Sequence, residues 1–404
     1  MRSGWIVAIV MVLLVLNQSV QAGGPFVYAD NGTIVKWASS GGSTSVTLTL
    51  DQGKLGLLTN VQANALVANV IGVWNGISQS TVNLTISPTP LSQDIDETNY
   101  YPVLRSGFPH GYNPVVYDED GALIDALYGT GMRNQILGFA GPVYSTDSHV
   151  PPHPLPGNFV EGQVVLNGRM LDGVDTGASN PEVTQSEFEG VIVHEAGHLL
   201  GLDHSQINVL DPTNNDQPTM FPIFYGGTAV RSPAPDDIGW ISYLYPSAQY
   251  SSSFGNITGQ IIQRVGATDS GYQGINVVAR RVGGARVDAI SCVSGYVYCA
   301  GYGPIGFSGF YLMPGVPPGN YTVEVERILP AFTGGSSVGP VDPPVGFPGI
   351  AGPEFYSGLL ESAYDNPAEK AEIPVSVGSE TGNIGIILNT EIAPADAPRW
   401  LLYR

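Results

Sequence analysis

Residues 194 to 204 read His194-Glu195-Ala196-Gly197-His198-Leu199-Leu200-Gly201-Leu202-Asp203-His204, the pattern H-E-x-x-H-x-x-G-x-x-H. On a helix, His194 and His198 stand one turn apart on the same face, so two imidazole nitrogens reach one cation without loop movement. Gly201 supplies the positive φ that ends such a helix, and the resulting turn brings His204 under the same metal as third ligand. Three neutral imidazoles leave one tetrahedral position for water. Glu195 sits beside a ligand without being one and is placed to take that water's proton. Five specified positions in a chain with six histidines make chance agreement a matter of about one in 10⁵. The histidines are therefore read as zinc ligands rather than incidental helix residues.

What precedes the motif predicts its helix. Thr184-Gln185-Ser186-Glu187 is a capping-box start, and Phe188, Val191, Ile192 and Leu199 form an apolar stripe at helical spacing. The helix is expected over residues 185 to 200.

These residues resemble the metzincins, and within that clan the matrixins. Pro218-Thr219-Met220-Phe221-Pro222, sixteen residues after His204, is similar to the clan's methionine turn, and Ser205 follows the third histidine as in matrixins. Residues 233 to 246 resemble the matrixins' last helix, started by Pro235 with Asp236 and Asp237 and ended by Pro246. The resemblance implies that His194, His198 and His204 bind zinc, Glu195 acts as general base and acid, and Met220 forms the turn. It gives Asp236 and Asp237 a structural role, one of them buried against that turn. Pro222 stands where some branches carry a tyrosine ligand, so three protein ligands plus water are expected. The resemblance covers roughly residues 25 to 248.

A length of 404 residues exceeds one ordinary core, so two domains are expected. Residues 1 to 22 read as a secretory signal: Arg2, an apolar run from Trp5 to Leu16, then Val20-Gln21-Ala22 as a small-residue cleavage site. That run is shorter than a spanning helix needs, and no other uncharged stretch is long enough, so a secreted, extracellular protein without a transmembrane segment is expected. A net charge of -20 excludes nucleic acid as a natural partner, while 12% charged residues with 52 Gly and 32 Pro describe a loop-rich and strand-rich chain. Asp118-Glu119-Asp120-Gly121 with Asp125 has partial calcium-loop spacing. It lacks a further acid, which favours an ordinary turn and leaves calcium open beside zinc as a cofactor.

Before the zinc helix the pattern predicts a mixed α/β order, an α+β or α/β catalytic domain with two long helices and a C-terminal helix over residues 23 to 248. Strands are expected at 45 to 50, 82 to 86, 115 to 117 and 162 to 167, with a helix at 60 to 77. The family resemblance implies that the last strand before the zinc helix, residues 160 to 168, lines the cleft and pairs with an extended substrate. The pocket beyond the scissile bond is expected between the zinc helix and residues 221 to 234, with Phe224 and Tyr225 hinting at an apolar preference. His110, His149 and His153 are read as loop histidines, with a second zinc at the last two as the minority view.

A polar linker is expected at 249 to 255, an all-β sandwich at 256 to 392 and a tail at 393 to 404. Short runs at 257 to 263, 275 to 281, 295 to 298, 311 to 313, 321 to 326 and 384 to 388 lie between Gly and Pro turns. Gly259-Gln260-Ile261-Ile262 and Val316-Pro317-Pro318-Gly319-Asn320-Tyr321 are similar to carboxypeptidase regulatory-like, transthyretin-type domains. Such a module implies attachment to a surface or glycan. Cys292 and Cys299 are spaced to close a hairpin-sized loop in an oxidising compartment. The sequence thus points to a secreted, monomeric zinc metalloendopeptidase acting on protein or peptide substrates, with a catalytically silent adhesion protein as the alternative.

Overall fold

The computed structural model describes residues 9–10, 24–28, 34–145, 158–177, 179–207, 217–272, 274–294, 309–326, 354–363 and 365–389. A seven-stranded sheet carries the first half of the chain. Its strands are β2 (Val27–Tyr28), β3 (Ile34–Trp37), β4 (Thr44–Leu50), β5 (Val82–Ile86), β6 (Asn113–Asp118), β7 (Gly138–Ser145) and β8 (Asn158–Asn167). The order is β2-β3-β8-β6-β4-β5, with β7 also paired to β8. β4, β5, β6 and β8 run parallel, as crossover connections require. A two-residue strand, β1 (Ile9–Val10), pairs antiparallel with β9 (Ile223–Phe224).

Both faces of this sheet are covered, and the period of two in its strands sorts the side chains. Val115, Tyr117, Val164 and Leu166 face the main core, while Val116, Val165 and Phe139 face a second cluster with Leu91, Leu104, Ile124 and Ile136. The main core is built by α1 (Asn60–Asn75) and α4 (Gln185–Leu199) lying together. Trp74 of α1 is fully buried, and its indole N–H donates to the Val193 carbonyl of α4 at 2.9 Å. Short helices α2 (Tyr101–Leu104) and α3 (Ala122–Tyr128) border the second cluster.

β7 corrects the expected position of the free edge. β8 pairs with β6 through residues 164 to 167 and with β7 through residues 159 to 166, so it lies inside the sheet. Among the described residues β7 pairs with β8 alone, which leaves its other side as the edge. Gly138, Gly141 and Pro142 make this strand read poorly in the sequence, yet Pro is tolerated on an edge, where no ladder bond is lost. The register shifts after Pro142.

The acidic run from 118 to 125 has its carboxylates engaged, Glu119 by Lys54 and the others locally. Asp118 accepts the Leu123 and Ile124 N–H groups, Asp120 accepts from Ala122, and Asp125 pairs with Arg133. The first of these contacts cap α3. His110 lies against the buried Glu161, which also accepts its backbone N–H. His149 and His153 lie outside the described residues.

After α5 (Pro235–Leu244) and the helical turn α6 (Tyr250–Ser253), two four-stranded sheets follow. One holds β10 (Gly255–Val265), β11 (Thr268–Gly271), β14 (Phe310–Val316) and β17 (Glu380–Ile387); the other holds β12 (Asn276–Arg281), β13 (Ala289–Val293), β15 (Gly319–Glu326) and β16 (Ile373–Val375). Pairing is antiparallel except between β10 and β17. Ile257, Ile261, Val277, Ala279, Ile290, Met313, Val323 and Ile386 fill the space between the sheets. Cys292 is a buried free thiol on β13. Every residue of β13 is buried, Cys292 among them. Cys299 and the strand expected at 295 to 298 lie outside the described residues.

The two halves meet backbone to backbone. A Cβ added to Gly239 of α5 would stand 2.9 Å from the Gly315 carbonyl oxygen of β14, and one on Gly315 would stand 2.4 Å from the Gly239 Cα. Side chains fit on neither. Gly239→Ala is expected to destabilise the protein by about 1 to 3 kcal/mol through overpacking, read by urea unfolding; a change under about 0.5 kcal/mol would show that the two backbones part at little cost.

Candidate metal centre

The helix that carries the motif begins as its sequence predicts. Thr184 Oγ accepts the Glu187 N–H at 3.2 Å, and Glu187 accepts the Thr184 N–H at 2.8 Å in return. The other oxygen of Glu187 accepts the Gly227 N–H at 2.8 Å, which ties the start of α4 to the segment after the methionine turn.

Its end is a Schellman turn. The Leu202 N–H donates to the Gly197 carbonyl at 3.0 Å and the Gly201 N–H to the His198 carbonyl at 2.8 Å, with Gly201 at φ +91°. Glycine is required at 201 twice over, because a Cβ there would also approach the Phe159 ring to 2.9 Å. The turn presents the Leu202 carbonyl to His198 Nδ1 at 2.8 Å. The Thr219 carbonyl does the same for His194 Nδ1 at 2.7 Å. A carbonyl only accepts, so both Nδ1 atoms carry the proton and both Nε2 atoms keep a lone pair.

The three rings converge. Centroid separations are 4.6 Å for His194 with His198, 4.5 Å for His198 with His204 and 5.2 Å for His194 with His204. One nitrogen from each lies within 4.8 Å of the other two, and the Nε2 atoms of His198 and His204 are 3.1 Å apart. Two nitrogens bound tetrahedrally to one zinc would stand about 3.4 Å apart. His194 Nε2 is buried without a hydrogen-bond partner. Burial pushes the His194 imidazole down to about 4 and lowers His198 and His204 well below the usual range. A buried, neutral, lone-pair nitrogen without a donor fits a metal ion, and this donor set fits zinc.

Glu195 is 1% exposed, and neither carboxylate oxygen has a hydrogen-bond partner. Burial raises its carboxyl well above the ordinary range. Gly138, at the start of the edge strand β7, lies so close that an added Cβ would come within 3.3 Å of Glu195 Oε1. The Tyr128 hydroxyl is also buried without a partner, near enough for the Glu195 charge to raise it further, though burial is the larger cause. Neither Gly138 nor Tyr128 stands out in the sequence, since a loop glycine and a helix-end tyrosine carry no motif.

The methionine turn is locked from below. A Cβ on Gly197 would meet Met220 Sδ at 2.4 Å and the Trp74 ring at 2.9 Å, so the glycine inside the motif makes room for Met220. Asp237 of α5 accepts the N–H groups of Thr219 at 2.8 Å, Met220 at 3.1 Å and Ala234 at 2.7 Å. Burial raises Asp237 to about 6 against the pull of those three donors. The Ser205 N–H donates to the Met220 carbonyl at 2.8 Å, closing the link from the turn back to the third histidine. Phe224 is part of the core, while Tyr225 is half-buried.

No family model matches the sequence. Over 65 residues the chain is 42% identical to Metalloendoproteinase 5-MMP of Arabidopsis thaliana, a match that takes in 16% of this chain and 16% of that protein. Among solved structures, the hatching enzyme zinc-protease HCE-1 of Oryzias latipes gives a TM-score of 0.24 at 13% identity, covering 52% of this chain and 94% of that one. The minor pilin GBS52 of Streptococcus agalactiae gives 0.20 at 11% identity, covering 36% and 49%. Likeness at these TM-scores does not define the fold. The sequence match and the histidine cluster together mark a metallopeptidase-like domain.

Replacing Asp237 by Ala leaves three buried N–H groups without an acceptor. The expected cost is about 3 kcal/mol or more, with zinc per purified chain falling because Thr219 no longer holds His194 in place. Denaturant unfolding and elemental analysis read both. Full zinc content in a folded variant would show that the Thr219 carbonyl is held by other contacts.

Proposed function

We propose that this chain is a zinc-dependent endopeptidase of the matrixin-like metzincin type, exported from the cell and acting on polypeptides bound as extended strands. The observation that carries the reading is the convergence of three buried lone-pair imidazoles beside a carboxylate with both oxygens unsatisfied. His194, His198 and His204 would hold the ion. Zinc bound there supplies Lewis acidity, both to acidify a water molecule and to polarise the scissile carbonyl.

The chain's own residues do the rest. Glu195 takes the water's proton and returns it to the leaving amine. Thr219 and Leu202 keep the two helix imidazoles in the tautomer whose Nε2 faces inward. The open edge of β7 begins beside Glu195, so an extended peptide added there as a strand would carry its backbone past the carboxylate. Residues 221 to 234 pack on α4 through Val230 against Gly190 and through Arg231 paired with Glu189, and would wall the opposite side.

Export is supported by the leader read in residues 1 to 22, and the β-sandwich would serve attachment to a surface or glycan. Among the described residues, no helix is long and apolar enough to cross a membrane.

A quenched fluorogenic peptide library tests the reading on the purified chain. Glu195→Ala is expected to lower turnover by about 10² to 10⁴-fold, the contribution of general acid and base catalysis, while zinc content stays unchanged. Equal turnover in both proteins, or none in the wild type with zinc bound, would leave an adhesion protein with a retained fold as the better account.

A further inference from the structure

A second cluster of titratable groups lies in the β-sandwich and has no part in the chemistry above. Glu354, Glu361 and Asp365 each offer one carboxylate oxygen, and these atoms lie within 4.8 Å of one another. Glu354 and Asp365 are 4% and 3% exposed, and Glu361 is half-buried.

Each carboxylate has one anchored side. Glu354 Oε2 accepts the Asn389 N–H at 2.6 Å and Asp365 Oδ2 the Phe355 N–H at 2.9 Å. Glu361 accepts the Ile387 N–H on one oxygen, and the Ser357 N–H and hydroxyl on the other. These bonds fasten the segment from 354 to 365 against the end of β17. The other sides of the two buried groups are different: Glu354 Oε1 and Asp365 Oδ1 are both buried and accept from no N–H or neutral O–H group, so that only a proton on one of the two carboxyls, donated to the other, could join them. Among the described residues no Lys, Arg or His forms an ion pair with any of the three. Lys370, a nearby cation in sequence, is committed to Glu324. Three carboxylates at this spacing repel strongly once water is excluded, and two orphaned oxygens add their own desolvation cost.

We propose that Glu354, Glu361 and Asp365 bind a divalent cation of the calcium class, which joins the 354 to 365 segment to the second half of the sandwich. The donors are all oxygen, with no imidazole or thiolate among them, and that set selects a hard cation over zinc. Three separate carboxylates, one of them half-exposed to solvent, suit the flexible shell of calcium better than the strict octahedron of magnesium. This site is independent of the zinc reading, since none of its residues contacts the histidine cluster.

The test uses the full-length protein with its zinc in place. Terbium is titrated in, with emission excited through Tyr356 in the same segment, and calcium is then added as competitor. Saturable emission displaced by calcium is expected in the wild type, together with a rise of roughly 5 °C in the sandwich's melting transition at calcium well above its Kd. Glu354→Gln and Asp365→Asn should each weaken calcium binding at least tenfold. Glu361→Gln, at the half-exposed position, gives the same reading, with its unfolding curve in urea recorded first because Glu361 also accepts from Ser357 and Ile387. Emission and calcium response unchanged in Glu361→Gln would place the ion elsewhere and overturn the proposal. So would a wild type indifferent to calcium whose melting temperature rises as pH falls, since a proton shared by the buried carboxyls would then hold the cluster together.

Discussion

Burying four polar side chains with no protein counter-charge is the constraint around which this structure is arranged. His194, Glu195, His198 and His204 are all at most 1% exposed, inside a core of Trp74, Val191, Leu199 and Met220. Left to themselves, such groups would cost several kcal/mol in lost hydration. The fold does not satisfy them all. It satisfies the outward nitrogens of two imidazoles with backbone carbonyls, and it leaves His194 Nε2 and both Glu195 oxygens bare. A frame that orders one side of two of the rings while withholding partners from the other is the arrangement a metal site needs, because imidazoles compete best with water for an ion when they are already turned toward it.

That selectivity comes from chain reversals rather than from the helix. α4 places His194 and His198, but their tautomers are set by Thr219 and Leu202, which lie in the two turns that follow. Gly201 makes the first turn; Asp237 makes the second by collecting the N–H groups of Thr219, Met220 and Ala234. Gly197 then lets Met220 close the floor against α4. Each of these residues is far weaker as a sequence signal than a histidine, and Gly201 and Asp237 act on the histidines only through backbone groups.

The degree to which the sequence could be read follows the same division. The zinc helix, its capping box, the 60 to 77 helix and the 82 to 86 strand were legible because period and caps agree over long stretches; the structure places them at Gln185–Leu199, Asn60–Asn75 and Val82–Ile86. The edge strand β7 was not, and the cleft was assigned to β8 in its place. Two glycines and a proline in Gly138–Ser145 carry turn propensity, and only pairing with β8 overrides it. The nearness of Gly138 to Glu195 is a tertiary fact with no local trace. Asp236 and Asp237, in contrast, were legible as helix-start acids, though the sequence could not say that the two neighbours serve different halves of the molecule.

That division of labour bears on what the β-sandwich is for. Asp237 faces the methionine turn; Asp236, one residue earlier, accepts the Ser291 N–H at 2.7 Å and its hydroxyl at 3.2 Å on β13. Trp240, one turn further along α5, donates from its indole to the Ser291 carbonyl at 2.9 Å and is buried. Burial raises Asp236 to about 7 against the hydrogen bonds from Ser205 and from Ser291 of the sandwich, which together keep a buried carboxyl tolerable. On the other side Ile207, three residues past His204, packs with Val278 and Ala289 of the sandwich. The helix that holds the turn at Met220 and the segment that follows His204 thus both lean on the second half of the chain. A module serving only as a tether would need no such grip, and cutting it away would expose Trp240 and strand the Asp236 carboxyl. The sandwich is therefore part of the scaffold that holds the histidine cluster.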